Sequence, residues 1–178
     1  LKYFDKDQVS HTLDLITPFC DEVFVSCRED QSFDEFVGKH NKIIDSFPSV
    51  GPSSGILSAM HKHPDAAWLI IACDLPYLKS KTIEHLILKR NPYKNATCYL
   101  NPTRGWPEPL CTIYEPKIFN KLIQYFGLGK PCPRKVLFNS EINALELNNK
   151  LDLNNVNTPA EFDLAINHIE EHKDLYEN

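Results

Sequence analysis

The stretch Leu69–Pro76, "LIIACDLP", closes an unbroken apolar run on a carboxylate that Pro76 holds in a turn. In open α/β sheets, ligands bind beyond the carboxyl ends of the strands, where the loops leave a crevice. Asp74 falls at such an end. A charge placed there carries a desolvation cost unless something pairs with it, and a divalent cation bearing phosphates is one such partner. Mg2+ in particular is held by one or two carboxylates plus phosphate oxygens, so Asp74 is a candidate metal-binding and catalytic residue. Pro76 lacks a backbone donor and has a fixed φ, which aims the turn. The same pattern also suits a carboxylate that only caps the next turn.

Two further groups have chemical potential. Gly51-Pro52-Ser53-Ser54-Gly55 lies between an apolar run and a helical pattern. Glycines let a backbone approach a ligand closely, and a helix N-terminus offers free N–H groups. The spacing is neither GxGxxG nor GxxxxGK[ST], so no dinucleotide or Walker-type site is indicated, and an ordinary loop has the same composition. In "NNVNTPAEF", Asn154, Asn155 and Asn157 crowd the entrance to the last helical pattern. Their amide oxygens suit a hard cation or a ligand hydroxyl, and equally suit turn backbone and helix caps. For His11, His61, His63, His85 and the other histidines, the spacing gives no support to a zinc site.

The elements that must position these residues follow from periodicity. Val9, Leu13 and Ile16 predict a helix in Gln8–Phe19, and "DEVFVSCR" (Asp21–Arg28) and "NKIIDSF" predict strands. Gly51–Pro64 reads as a turn feeding a helix, capped by Ser53 or Ser54, with Ile56, Leu57 and Met60 inward. "AAWLIIAC" (Ala66–Cys73) is apolar on both faces, the signature of a central strand covered on both sides in a parallel sheet. Ser80–Arg90 reads as a helix opened by Ser80. Strands follow at "NATCYLN", "PLCTIYEP" and "INALEL", and helices near Lys117–Phe126 and Arg134–Asn139. Thr158–His172 closes the chain as a helix with Thr158 as N-cap, Pro159 in its first turn and Glu161 in the capping-box position. Alternating strands and helices predict an α/β sheet with helices on both faces, in one domain spanning residues 1–178.

Composition sets the bounds. A chain of 178 residues can bury about 70% of its unfolded surface without disulfides or a structural metal. The 19 basic and 24 acidic residues give a net charge of −5, which argues against a nucleic-acid surface but not against a nucleotide. No apolar run reaches the roughly 18 residues of a membrane span, and no signal peptide is seen. Six cysteines, none at CxxC spacing and several within apolar runs, read as buried reduced thiols, so a cytosolic compartment is expected.

The order "GPSSGILSAM", "LIIACDLPYL", "EPLCTIYEP", "NNVNTPAEFDLA" resembles the molybdenum cofactor guanylyltransferase family, within the wider nucleotidyltransferase group. "LKYFDKDQVSHTLDLITPFCDEVFVSCREDQ" is similar to the helix, strand and Arg-x-x-Gln-like turn of that family, so the likeness spans nearly the whole chain. It implies a Rossmann-like three-layer α/β/α fold with a mainly parallel sheet. It also implies Mg2+-dependent attack of a molybdopterin phosphate on the α-phosphorus of GTP, with release of pyrophosphate. Asp74 then occupies the magnesium aspartate position, and Gly51, Pro52 and Gly55 match the glycine turn beside base and ribose. Asn155 and Asn157 match asparagines beside metal and acceptor, and Pro109 and Leu110 match a segment lining the acceptor side. Lys130, Arg134 and Lys135 are candidates to neutralise an anionic acceptor, or else form a solvated basic face. The partners so implied are small molecules, GTP and the pterin cofactor, with other cofactor-biosynthesis proteins a further possibility.

Two departures stand out. Ser53 takes a place where the glycine turn commonly has leucine. The family's first strand and its LAGGxSxRMGxDK loop, whose amides and cations hold the triphosphate, have no counterpart here, so an N-terminally incomplete domain is expected. The alternatives are a cytidylyltransferase for the same cofactor, a sugar-phosphate nucleotidyltransferase, or a catalytically silent binding module of the same fold.

Overall fold

The computed structural model describes residues 2–3, 6–32, 35–48 and 50–176; Leu1 and Phe4 of the opening "LKYF" lie outside this set. The described chain begins with two short paired strands, β1 (Lys2–Tyr3) and β2 (Lys6–Asp7). Asp7 caps helix α1 (Gln8–Ile16) by accepting from Ser10 N. Next come β3 (Val25–Cys27), α2 (Glu35–Gly38), β4 (Lys42–Ile44), α3 (Pro52–Lys62) and β5 (Trp68–Ile71). The remainder comprises α4 (Ser80–Leu88), β6 (Ala96–Leu100), β7 (Pro107–Tyr114), α5 (Phe119–Gly127), α6 (Pro133–Phe138), β8 (Ile142–Leu145) and α7 (Pro159–Glu171).

Four strands form one sheet in the order β5-β7-β6-β8. β7 is antiparallel to both of its neighbours, while β6 and β8 are parallel. Strands β5, β6 and β8 therefore run one way and β7 against them. A separate parallel pair, β3–β4, stands beside this sheet. The mixed α/β architecture expected from alternation is present, with the sheet partly parallel.

The layers are set by alternation along the strands. Trp68 and Ile70 of β5 pack with Ile56, Leu57 and Met60 of α3, Leu122 of α5 and Val136 and Leu137 of α6. Leu69 and Ile71 face the other way, onto Ile16 of α1 and Ile83 and Leu86 of α4. Burial on both faces explains the unbroken apolar run. The expectation of a central, parallel strand is corrected: β5 pairs with β7 alone among the described residues, and antiparallel. Double-faced burial follows from helices on both sides and carries no information about strand direction.

Two capping expectations also change. Helix α3 opens at Gly51, whose φ of 79° lies in the left-handed region, with Pro52 in its first position. Ser53 and Ser54 sit inside the first turn instead. Ser54 Oγ donates to Pro48 O and accepts from Val50 N, and Ser53 Oγ donates to Pro131 O, so these hydroxyls tie neighbouring loops to the helix. Helix α4 is preceded by Lys79, with Ser80 already helical.

Candidate functional site

The co-orientation of β5 and β8 places the loops that follow them at one end of the sheet. These strands are its two edges, roughly 14 Å apart by ordinary strand spacing, so the segment after β8 must cross the ends of β6 and β7 to reach β5. It does so: Val156 N donates to Asp74 O at 3.0 Å. Val156 is buried among Tyr77, Ala165 and Ile169, which seats the crossing segment and α7 together. Asn155 and Asn157 therefore flank the backbone contact with Asp74, and both are exposed.

Asp74 is half-buried in the turn after β5. Its side chain has no hydrogen bond or ion pair among the described residues, and the same holds for the side-chain amides of Asn155 and Asn157. Among the described residues no three His, Cys, Asp or Glu side chains are grouped to hold a metal ion. The oxygen donors present are one carboxylate and two amides. That set suits a hard cation whose remaining ligands are phosphate oxygens and water, and does not suit a closed all-protein cage.

β7 starts at the same end of the sheet because it runs against β5. Ala72 N donates to Leu110 O at 2.9 Å, which brings Leu110 beside the turn holding Asp74. Pro109 is buried and its carbonyl accepts from Tyr114 Oη. Arg134, at the start of α6, lies 4.0 Å from Glu108 and stacks beside Trp106 with its Cζ 5.7 Å from the ring centroid. Its Nε is buried without a hydrogen-bond partner among the described residues. Lys130 and Lys135 are exposed.

The glycine turn borders a second feature. A cavity of about 730 Å³ opens between β3 and β5, lined on one side by Ser26, Cys27 and Arg28 and on the other by Trp68–Ile71. Gly51, Pro52, Gly55 and Leu110 also line it, so the glycine turn and the β7 segment share one cleft. A Cβ on Gly55 would stand 2.4 Å from Ser26 Oγ and 3.5 Å from Asp45 Oδ1, which explains glycine there. Burial pushes the Asp45 carboxyl above its ordinary value, against the lowering effects of its Ser26 hydrogen bond and the Arg28 charge. Arg28 is itself held by Asp30 in a two-point contact of 3.0 and 3.1 Å, in the turn that Gln31 closes by accepting from Arg28 N.

Three groups near the site escaped the sequence reading. Asp45 follows Ile43 and Ile44 at the end of β4 as Asp74 follows the apolar residues of β5, so that signal was present. Trp106 and the buried Asp152 had none, since Arg134 beside Trp106 and Lys79 and Thr82 against Asp152 come from distant segments.

Helices on both faces of an open, partly parallel sheet make this a three-layer α/β domain. A family model described as a MobA-like NTP transferase domain matches residues 1–143, and the chain belongs to that family. It is 34% identical over 162 residues to a molybdenum cofactor biosynthesis bifunctional protein of Synechocystis, covering 91% of this chain and 47% of that protein. It is 27% identical over 168 residues to a molybdenum cofactor guanylyltransferase of Pseudomonas aeruginosa, covering 91% of this chain and 80% of that one. Against the Synechocystis protein and a Clostridium perfringens relative it spans about half of their lengths, 47% and 55%. The crystal structure of molybdopterin-guanine dinucleotide biosynthesis protein A from Archaeoglobus fulgidus superposes with a TM-score of 0.79 at 19% identity, over 96% of this chain and 89% of that one. No helix among the described residues is long and apolar enough to cross a membrane.

Proposed function

We propose that this chain is the catalytic domain of a nucleotidyltransferase that moves GMP from GTP to the terminal phosphate of a molybdopterin-type cofactor. The observation that best supports the reading is the hydrogen bond from Val156 N to the Asp74 carbonyl, which brings the Asn155–Asn157 segment beside the turn of Asp74 at the end of the sheet. In the reaction an acceptor phosphate oxygen attacks the α-phosphorus, the Pα–O bond to the β-phosphate breaks, and pyrophosphate leaves with its electron pair. Such chemistry depends on positioning and charge neutralisation and needs no protein nucleophile. A Mg2+ ion, held by Asp74, would supply that neutralisation.

Asp74 would hold the cation, with Asn157 completing its polar surroundings and Asn155 turned to the acceptor. Gly51, Pro52 and Gly55 would border base and ribose, because all three line the cleft and the left-handed Gly51, with open space where a Cβ would stand, permits a close backbone approach. Pro109, Leu110 and Arg134 would form the acceptor side. The cations lining the cleft, Arg28 and Arg90, pair with Asp30 and Glu115, so little uncompensated positive charge faces a triphosphate there. A glycine-rich loop on an extended segment of the same polypeptide, seated between β3 and β5, would provide the missing amides and charge. The apolar lining and strand edges of that cavity suit such a segment.

The test is pyrophosphate release by the full-length polypeptide, assayed with Mg2+, either GTP or CTP, and the phosphorylated pterin. Release that requires the acceptor and prefers GTP is expected. A preference for CTP would make it a cytidylyltransferase, and no release with either nucleotide would leave a silent member of the fold.

A further inference from the structure

Asp152 is 4% exposed, a buried carboxylate outside every candidate site residue considered above. Burying a charge carries a cost unless it is well paired, and this one is gripped from three directions. Its Oδ1 accepts from Asn149 Nδ2 at 2.7 Å and lies 3.8 Å from Lys79 Nζ. Its Oδ2 accepts a short hydrogen bond from Thr82 Oγ1. The Thr82 carbonyl in turn accepts from Tyr99 Oη at 2.8 Å, and that oxygen lies 2.8 Å from His85 Nδ1. The connected groups run from the crossing segment, through the first turn of α4, into β6.

The partners of Asp152 matter because of where they sit. Lys79 immediately precedes, and Thr82 lies in the first turn of, the helix that follows the turn of Asp74. The crossing segment is thus fastened to the Asp74 side at two points, by the Asp152 side chain on α4 and by Val156 N on the Asp74 carbonyl. Between them the backbone is turn-built, with Asp152 N donating to Asn149 O at 3.2 Å and Asn154 N to Leu151 O at 2.9 Å. Asn155 lies between the two fastenings and Asn157 directly beyond the second. Asn149 and Asn154 also wall a polar cleft of about 340 Å³ facing Asn101 and Glu108.

We infer that Asp152 is the positioning residue that seats the asparagine segment against Asp74, through Thr82, Lys79 and Asn149. It touches no reacting atom. Its consequence for turnover rests on the nucleotidyl-transfer reading; its consequence for the segment does not.

Two readouts in the full-length protein test it. The first is amide hydrogen exchange at Val156 in the wild type, Asp152→Asn and Thr82→Val, the last keeping the carboxylate and removing one donor if the former folds poorly. Exchange at Val156 should rise about tenfold or more in both variants, while amides at the centre of β6 and β7 keep their protection. The second is steady-state kinetics at a temperature well below unfolding. kcat should fall and the Mg2+ concentration for half-maximal rate should rise, with KM for GTP little changed; a merely stabilising carboxylate would move none of these per folded molecule. Unchanged Val156 exchange in both variants overturns the inference whatever the activity. Faster exchange in a protein whose wild type transfers no nucleotide upholds the seating and removes the enzymatic reading.

Discussion

Asp74 and Cys73 share one turn, and their chemistry is coupled. Cys73 is exposed, yet local desolvation and then the Asp74 charge raise its thiol above the ordinary value. Asp74→Asn removes the second cause. Thiol labelling of Cys73 near neutral pH should therefore speed up in that variant, with little loss of thermal stability, because a half-buried carboxylate without protein partners adds little to packing. Quantified labelling with mass-spectrometric assignment checks this, and an unchanged rate would show that the carboxylate does not face the thiol. Mg2+-dependent turnover should fall far more than stability. Cys98 and Cys111 behave differently, since burial pushes the Cys98 thiol up to about 12 and the Cys111 thiol higher still, so both should resist labelling until the protein unfolds.

At the scale of elements, α7 shows what a local sequence signal can specify. Glu161 Oε2 accepts from Asn157 N at 2.9 Å and Thr158 N at 3.0 Å, and Thr158 Oγ1 accepts from Glu161 N, so the capping box forms as its spacing predicts. Thr158→Ala should lower stability by about 1 kcal/mol in chemical denaturation. The backbone hydrogen bond from Asn157, followed by those of Thr158, holds the Glu161 carboxyl below its ordinary value of 4.5. A depressed carboxylate stabilises the fold above its unfolded value and loses that contribution as pH falls through the folded one. The cap should accordingly weaken below about pH 4.5, seen as faster exchange of the first-turn amides of α7 on acidification, and Glu161→Gln should flatten that dependence. The same carboxylate holds the Asn157 backbone N–H, so the cap fixes the chain at a candidate site residue.

Across the whole molecule, two features should govern how it comes apart. Glu115, buried at the end of β7, is held by Arg90 beyond α4 through contacts of 2.7 and 2.9 Å. Arg90→Ala would leave a buried carboxylate unpaired, and a loss of about 1–3 kcal/mol is expected in denaturant unfolding. Glu115→Gln in that background should recover part of it. The β3–β4 pair has no backbone ladder to the four-stranded sheet among the described residues, since the cavity lies between them. Its amides should exchange faster than those of β6 and β7, and filling the cavity with an extended segment should close the gap.

Periodicity and turn chemistry placed the helices, most strands and the final capping box, because each depends on residues within a few positions of one another. They also placed Asp74 at a strand end and Asn155 and Asn157 before the last helix. Strand direction was not legible: an apolar run covered by helices on both faces has the same composition beside a parallel or an antiparallel neighbour, and β7 reversed the expectation for β5. Neither was the meeting of Asp74 with Val156, nor the burial of Asp152 against Thr82, which join positions separated by some seventy residues or more. Local patterns by themselves determined that Asp74 follows an apolar strand and that Asn155 and Asn157 precede a capped helix. Only the chain's path across the strand ends decided which of them stand together, because that depends on pairing order and packing that no short window of sequence contains.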